Sequence, residues 1–291
     1  MSRIAYVDGR YVAHRHASVH PEDRGYQFAD GVYEVVAVLG DHLIDEEQHL
    51  DRLQRSLSER RIRWPMSRAA LRLVMREMIR RNRIRGQGAL YLQITRGVAP
   101  RNHAFPAEAK PVMVMTARSL PPFDFEAARR GVKVISLPDE RWRRPDIKSV
   151  SLLPNVLAKQ RAFECGAFEA WLLDDSGMVT EGTASNAWIV NDAGDLVTHA
   201  ADRSILAGIT RAAAFRLAAE HGVRPVERPF SLDEAKRARE AFLTSTTSWV
   251  KAVVSIDDTP IGAGTAGPLT TLLLDWYGAY VAAIKEGAPN G

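Results

Sequence analysis

Pro121-Pro122-Phe123-Asp124 divides this chain. Two consecutive prolines fix their own φ, remove two backbone donors and push the residue before them out of the helical region, so neither helix nor sheet continues through them. The stretch reads as an interdomain linker over 121–124, with one domain spanning 1–120 and a second spanning 125–291. Upstream, alternating segments at 4–7 and 10–12 flank the turn pair Asp8-Gly9. The apolar run at 32–39 closes at Gly40-Asp41 and predicts a buried strand in a hairpin with His42-Leu43-Ile44. Helical patterns follow at 46–60 and 67–81, and strands at 89–96 and 111–117, which makes this half a small α+β sandwich. Downstream, strands are expected at 132–137, 169–173, 178–179, 184–190, 241–243 and 250–256. Helices are expected at 155–165, 209–221 and 269–284, the second strongly amphipathic and closed by Gly222. Strands dominate with helices outside them, so the chain as a whole reads as α+β.

Composition narrows the function classes. At 291 residues, with 46% hydrophobic and 25% charged content, the chain can bury a large core as one large domain or two modest ones. No stretch has the length and apolarity of a membrane-spanning helix, and Met1-Ser2-Arg3-Ile4 leads into a strand pattern rather than a signal peptide. The single cysteine, Cys165, excludes an internal disulfide and fits a reducing cytoplasm. Net charge is only +4. Basic residues concentrate in 60–85, where Arg68, Arg72, Arg76 and Arg80 recur every fourth position along one helix face. Nucleic-acid binding is the sharp reading of that stripe. A solvated face is preferred, since no interleaved aromatics or nucleic-acid motif accompany it. His14, His16 and His20 have spacings that suit a metal but lack companion ligands in a fixed motif, so no metal site is expected.

Five features carry candidate chemistry. Lysine is scarce, with seven in the chain, and Lys148 sits among Ile147, Val150, Leu152 and Leu153. An ammonium in apolar surroundings loses hydration, which favours the neutral amine that attacks carbonyls. The alternative is a lysine that lies along apolar surface and lifts its head to water. Glu181, in Val179-Thr180-Glu181-Gly182-Thr183-Ala184-Ser185-Asn186, lies between two strands among small residues that let a ligand approach the backbone. A carboxylate beside a pyridine nitrogen keeps that nitrogen protonated and the ring an electron sink; alone, such a glutamate is a solvated loop residue. Leu206-Ala207-Gly208-Ile209-Thr210-Arg211 opens a helix, where amides and a threonine hydroxyl form an anion site or simply a cap. Thr244-Ser245-Thr246-Thr247-Ser248 offers hydroxyls suited to phosphate oxygens, or an ordinary edge strand. Arg52 projects from an early helix, by default into a surface ion pair.

In this order the features resemble one family. Asp-Ile-Lys148, then Glu181-Gly-Thr-x-Ser-Asn, then Leu206-x-Gly-Ile-Thr-Arg, then Ser-Thr246-Thr-Ser is similar to the fold-type IV pyridoxal-phosphate-dependent aminotransferases, over nearly the whole chain. The resemblance implies a small α/β sandwich domain and a larger β-barrel-like domain with surrounding helices. It implies pyridoxal 5′-phosphate as cofactor, with Lys148 forming the Schiff base and later carrying the proton between substrate Cα and cofactor C4′. Glu181 would partner the pyridine nitrogen, and Arg52, Ile209, Thr210 and Thr246 the phosphate, with Leu206 against the ring face. Such a set supplies an amine base, an electron sink and an anion anchor, the requirements of 1,3-prototropic transfer.

The stretch Thr95-Arg96-Gly97-Val98-Ala99-Pro100-Arg101-Asn102-His103-Ala104-Phe105-Pro106 bears on the substrate. Arg101 and His103 are either solvated residues of a Pro-bounded loop or a carboxylate clamp. The pattern resembles the Arg-x-His loop of D-amino-acid transaminases, which with a tyrosine, here Tyr33, traps the substrate α-carboxylate. In that family the loop completes the neighbouring subunit's site, so the resemblance implies a homodimer. The function implied is ping-pong transamination of D-alanine, D-glutamate or similar D-amino acids with 2-oxoglutarate or pyruvate. Branched-chain and R-selective amine transaminases of the same family are alternatives, and a cofactor-free nucleic-acid-binding protein is a rival from another class. Two departures stand out: Ala184 replaces a frequent serine, and Trp249-Val250-Lys251 follows the hydroxyl run near the expected substrate side chain.

Overall fold

The computed structural model describes residues 3–285. The chain forms two compact units. The first takes the described residues of Met1–Phe123, Ile147–Ser151 and Ile284–Gly291; the second comprises Asp124–Asp146 and Leu152–Ala283.

The first unit holds strands β1 (Ile4–Val7), β2 (Arg10–Ala13), β3 (Gly31–Leu39), β4 (His42–Leu43), β5 (Gln87–Thr95) and β6 (Val112–Ser119), with helices α1 (Arg24–Phe28), α2 (Glu46–Glu59) and α3 (Arg68–Arg81). Its six-stranded sheet runs β2-β1-β6-β5-β3-β4, antiparallel throughout. Alternation along β3 is strict at its centre: Val32, Glu34, Val36 and Val38 are buried, whereas Tyr33, Val35 and Ala37 are half-buried. Helix α3 starts at Ser67, whose side chain accepts from the Ala70 amide at 3.2 Å, and buries Leu71, Met75, Met78 and Ile79. Its arginine stripe is engaged. Arg68 binds Asp51 at 2.7 Å, Arg72 binds Glu47, Arg76 binds Glu46 at 2.8 Å and Arg80 binds Glu77 at 2.6 Å. Three of these acids lie on α2, so the stripe joins two helices. Helix α2 buries Glu46, His49, Leu50, Arg52, Leu53, Ser56 and Leu57. Four of these seven are polar, which an ordinary core helix avoids.

The second unit holds α4 (Phe125–Arg130), β7 (Val132–Pro138), α5 (Leu153–Glu164), β8 (Glu169–Leu173), β9 (Val179–Gly182), β10 (Asn186–Val190), β11 (Leu196–Thr198), α6 (Ile209–Glu220), β12 (Pro225–Glu227), α7 (Leu232–Arg237), β13 (Glu240–Ser245), β14 (Trp249–Ile256), β15 (Thr259–Pro260) and α8 (Pro268–Lys285). The expected β-barrel-like domain is a nine-stranded mixed sheet in the order β12-β11-β10-β13-β14-β7-β8-β9, with β15 on β14. Parallel pairs join β14 to β7, β7 to β8 and β11 to β12. Strand β10 is buried on both faces. Ala187 and Ile189 enter a core with Trp171, Phe230, Leu243 and Val253, while Trp188 on the other face stacks on Phe242 at 5.4 Å. Helix α6 departs from expectation: alanines occupy both its buried positions (Ala213, Ala214, Ala218) and its exposed ones (Ala212, Ala219), so its sidedness comes from packing rather than residue type.

Candidate active site

In the first unit the chain from Ile147 to Ser151 lies against the start of β3. Tyr33 N donates to Lys148 O at 3.0 Å, and Val150 N to Gly31 O at 3.1 Å. Lys148 N donates to Ser56 Oγ of α2 at 3.3 Å. With its backbone fixed, the half-buried Lys148 side chain runs to the Tyr33 face of β3. There Nζ stands 3.4 Å from Tyr33 Oη and 4.4 Å from the ring centroid. Tyr33 stacks on Tyr91, with ring centroids 5.8 Å apart. Burial, with a smaller push from Tyr33, raises the Tyr91 hydroxyl to about 12.

The opposite face of β3 carries Glu34, which is 1% exposed. Arg52 Nε and Nη2 each donate to its carboxylate at 2.8 Å, and His49 Nδ1 lies 2.8 Å from Oε2. Burial alone would raise this carboxyl. The Arg52 charge and hydrogen bonds, aided by His49, overcome burial and hold it well below the usual carboxylate range. Burial lowers His49 despite Glu34.

Arg101 and His103 fall in a separate cluster of the same unit. Arg24 anchors their loop through Asn102 O at 2.5 Å and His103 O at 3.4 Å, and is itself held by buried Asp30 at 2.9 Å. Arg101 Cζ lies 4.7 Å from the Phe28 ring centroid and the His103 ring 5.4 Å from it. Both residues are exposed. Gly97 opens the loop at φ 104°, where a Cβ would come within 1.9 Å of Lys110 O.

In the second unit Glu181 is buried and aimed by several donors. Leu206 N donates to Oε1 and Asn186 Nδ2 to Oε2, both at 3.0 Å, and Arg141 Nη1 also binds Oε1. Arg141 is clamped by Asp139 through Nε at 2.9 Å and Nη2 at 2.7 Å, and Thr180 Oγ1 donates to the same carboxylate at 2.9 Å. Asn186 Nδ2 further donates to Leu206 O at 3.0 Å. A Cβ on Gly208 would lie 2.0 Å from Asn186 Oδ1, so a larger residue there would push aside the amide that serves Glu181. Gly208 is the N-cap of α6 and no side chain caps this twelve-residue helix, whose first turn carries Ile209 and buried Thr210. Its amide end is suited to an anion. Thr246 lies in the turn after β13, where Ser248 N donates to Ser245 Oγ at 3.1 Å.

The Amino-transferase class IV family model matches residues 31–256. The chain belongs to this family. It is 43% identical over 264 residues to the D-alanine aminotransferase of Bacillus licheniformis, covering 90% of this chain and 92% of that one. It is 39% identical over 274 residues to the D-alanine aminotransferase of Listeria monocytogenes serotype 4b (strain F2365), covering 93% of each. Among solved structures, the T.th. branched-chain amino acid aminotransferase in complex with N-(5′-phosphopyridoxyl)-L-glutamate superposes with a TM-score of 0.87 at 26% identity, covering 97% of this chain and 95% of that one.

The structure of this class IV aminotransferase thus brings Lys148 to Tyr33, and Glu181 to Leu206. It puts Arg52 on the other face of β3 from Tyr33. Sequence reasoning passed over Glu34, His49, Ser56, Asp139, Arg141 and Asn186. One signal was available: Glu34 shares the period-2 face of Val32, Val36 and Val38, so its carboxylate had to be buried and paired. The two departures resolve differently. Ala184 is exposed, and Trp249 is buried against Phe125 and Tyr277, with centroids at 5.8 and 5.5 Å.

Proposed function

We propose that this chain is a pyridoxal 5′-phosphate-dependent D-amino-acid transaminase, acting on D-alanine, D-glutamate or similar donors with 2-oxoglutarate or pyruvate as acceptor. The observation that carries the reading is the Lys148 amine held 3.4 Å from Tyr33 Oη by a backbone pinned to β3. The donor sets fit the cofactor's chemistry: a primary amine for its aldehyde, a fixed carboxylate for its ring nitrogen, and an uncapped helix start with nearby hydroxyls for its phosphate. When bound, the cofactor supplies that aldehyde and a protonated ring that accepts electrons.

The protein's part is to bind, aim and move a proton. Lys148 would hold the cofactor through its aldehyde and, once the substrate amine has taken its place, would be the free base that carries the substrate Cα proton. Tyr33 orients the Lys148 amine. Glu181, aimed by Arg141, Asn186 and the Leu206 amide, would pair with the ring nitrogen. Arg52, Ile209, Thr210 and Thr246 receive the phosphate, and Leu206 packs against the ring. Arg101 and His103, exposed on one loop, bind the α-carboxylate in the partner subunit's site of a homodimer. A cytoplasmic location fits the lone Cys165.

The two named D-alanine aminotransferases support the D-specific reading at 43% and 39% identity, above the 26% of the branched-chain structure. That structure's TM-score of 0.87 favours branched-chain transamination as the second reading. Purified protein given D-alanine and 2-oxoglutarate should release pyruvate, and Lys148→Ala should abolish this. Activity confined to L-leucine or (R)-phenylethylamine would reject D-specificity while preserving the family.

A further inference from the structure

Glu34, His49, Arg52 and Ser56 form one buried polar stripe between β3 and the inner face of α2. Ion pairs buried this deeply cost desolvation that their attraction barely offsets, and apolar residues of equal volume would stabilise the fold as well or better. The geometry of this one, however, is that of a mount. Glu34 grips Arg52 through Nε and Nη2 at 2.8 Å each, a two-point fork that fixes both the plane and the direction of the guanidinium. His49 Nδ1, 2.8 Å from Oε2, keeps the carboxylate from rotating. One helical turn beyond Arg52, Ser56 Oγ takes the Lys148 amide at 3.3 Å. A single helix face therefore holds both Arg52 and the Lys148 backbone in register with β3.

We propose that Glu34, supported by His49, is a positioning residue that presents Arg52 to the phosphate of the cofactor, an inference that rests on the proposed pyridoxal-phosphate reading. Glu34 lies on the far side of the strand from Tyr33, where its carboxylate is engaged by Arg52 and His49. It acts through Arg52, because an aim set before the anion arrives saves the entropy of ordering a long side chain on binding. Its negative charge makes the claim sharp. Removing that charge leaves the positive charge of Arg52 uncompensated, so simple electrostatics predicts tighter phosphate binding, whereas loss of aim predicts weaker binding.

The test is to titrate apo wild type, Glu34→Gln and His49→Gln with pyridoxal 5′-phosphate and, separately, with pyridoxal, following tryptophan fluorescence, with circular dichroism to verify folding. Glu34→Gln should weaken pyridoxal 5′-phosphate about tenfold or more, while pyridoxal changes by no more than about twofold. His49→Gln, which retains a donor toward Glu34, should show the same selectivity at about threefold. It remains the deciding variant should Glu34→Gln fail to fold. Equal losses for the two aldehydes, or unchanged or tighter pyridoxal 5′-phosphate binding, would overturn the inference and leave the functional reading intact. Wild type that binds neither aldehyde would overturn both.

Discussion

Arg141→Met tests whether the Glu181 side of the site is braced by charge. Arg141 is buried between two carboxylates, binding Asp139 at 2.7 and 2.9 Å and also Glu181. Removing one partner of a buried ion pair costs about 3–5 kcal/mol because the other charge is stranded. Both acids keep other donors. Asp139 retains Thr180 Oγ1 at 2.9 Å and the residue 141 amide at 3.1 Å, and Glu181 retains Asn186 and the Leu206 amide at 3.0 Å. The low end of the range, about 3 kcal/mol, is therefore expected near neutral pH. With a urea m-value of about 3 kcal/mol/M, that moves the unfolding midpoint down by about 1 M. The loss must depend on pH. Burial would raise Asp139, but Arg141 overrides it and holds the folded carboxyl below its ordinary value of 3.8. A depressed folded value stabilises the protein above the unfolded value, and the contribution fades as pH falls through the folded one. In the variant, burial is left to raise the same carboxyl, a penalty that protonation relieves. The gap between wild type and variant should thus be widest near pH 7 and narrow by about pH 4. A midpoint shift under about 0.3 M, or one equal at both pH values, would refute the brace.

Trp249 adopts φ 54°, a left-handed backbone rare for a bulky residue, yet it is buried between Phe125 and Tyr277. Trp249→Ala should cost about 3–5 kcal/mol in urea unfolding, and Trp249→Gly about 1 kcal/mol less, because glycine relieves the backbone; the reverse order would show that the turn is unstrained. Gly97→Ala adds a Cβ 1.9 Å from Lys110 O at φ 104° and should displace the loop that carries Arg101 and His103. On the proposed function, KM for D-alanine should rise about tenfold with a smaller change in kcat, since uniform binding is what is lost; an unchanged KM would detach this loop from carboxylate binding.

The fold was legible where patterns are long. The apolar run at 32–39 and the helical periods at 46–60 and 67–81 fall within a residue or two of β3, α2 and α3. Three-residue strands such as β11 and β12 and short helices such as α1 hold too few residues for a period to repeat, and are set by their neighbours. Lys148 and Glu181 stand out by composition, but their partners do not. The approach of Lys148 to Tyr33 depends on a five-residue segment docking across a sequence gap of 115 residues, which no local rule encodes. Arg141 lies in the run Arg141-Trp142-Arg143-Arg144, where only folding distinguishes the guanidinium that reaches Glu181 from its neighbours.

On the proposed function, the buried arginine–carboxylate forks of the two units would have mirror-image roles. The bonds that hold the Glu34 carboxylate come from side chains, those of Arg52 and His49. A carboxylate so committed serves its cation, and the guanidinium is the group presented. At Glu181 the order reverses. Arg141 is spent on Asp139 at both Nε and Nη2, while Glu181 collects a backbone amide and an asparagine besides the arginine. Donors of three kinds on one carboxylate fix its direction, which a structural ion pair does not require but a partner for a protonated ring nitrogen does. A protein stabilising itself with such pairs would have no reason to build them in opposite senses. One that must offer a cation to a phosphate and an anion to a pyridinium needs one of each, and would lose a distinct function, not just stability, from either substitution.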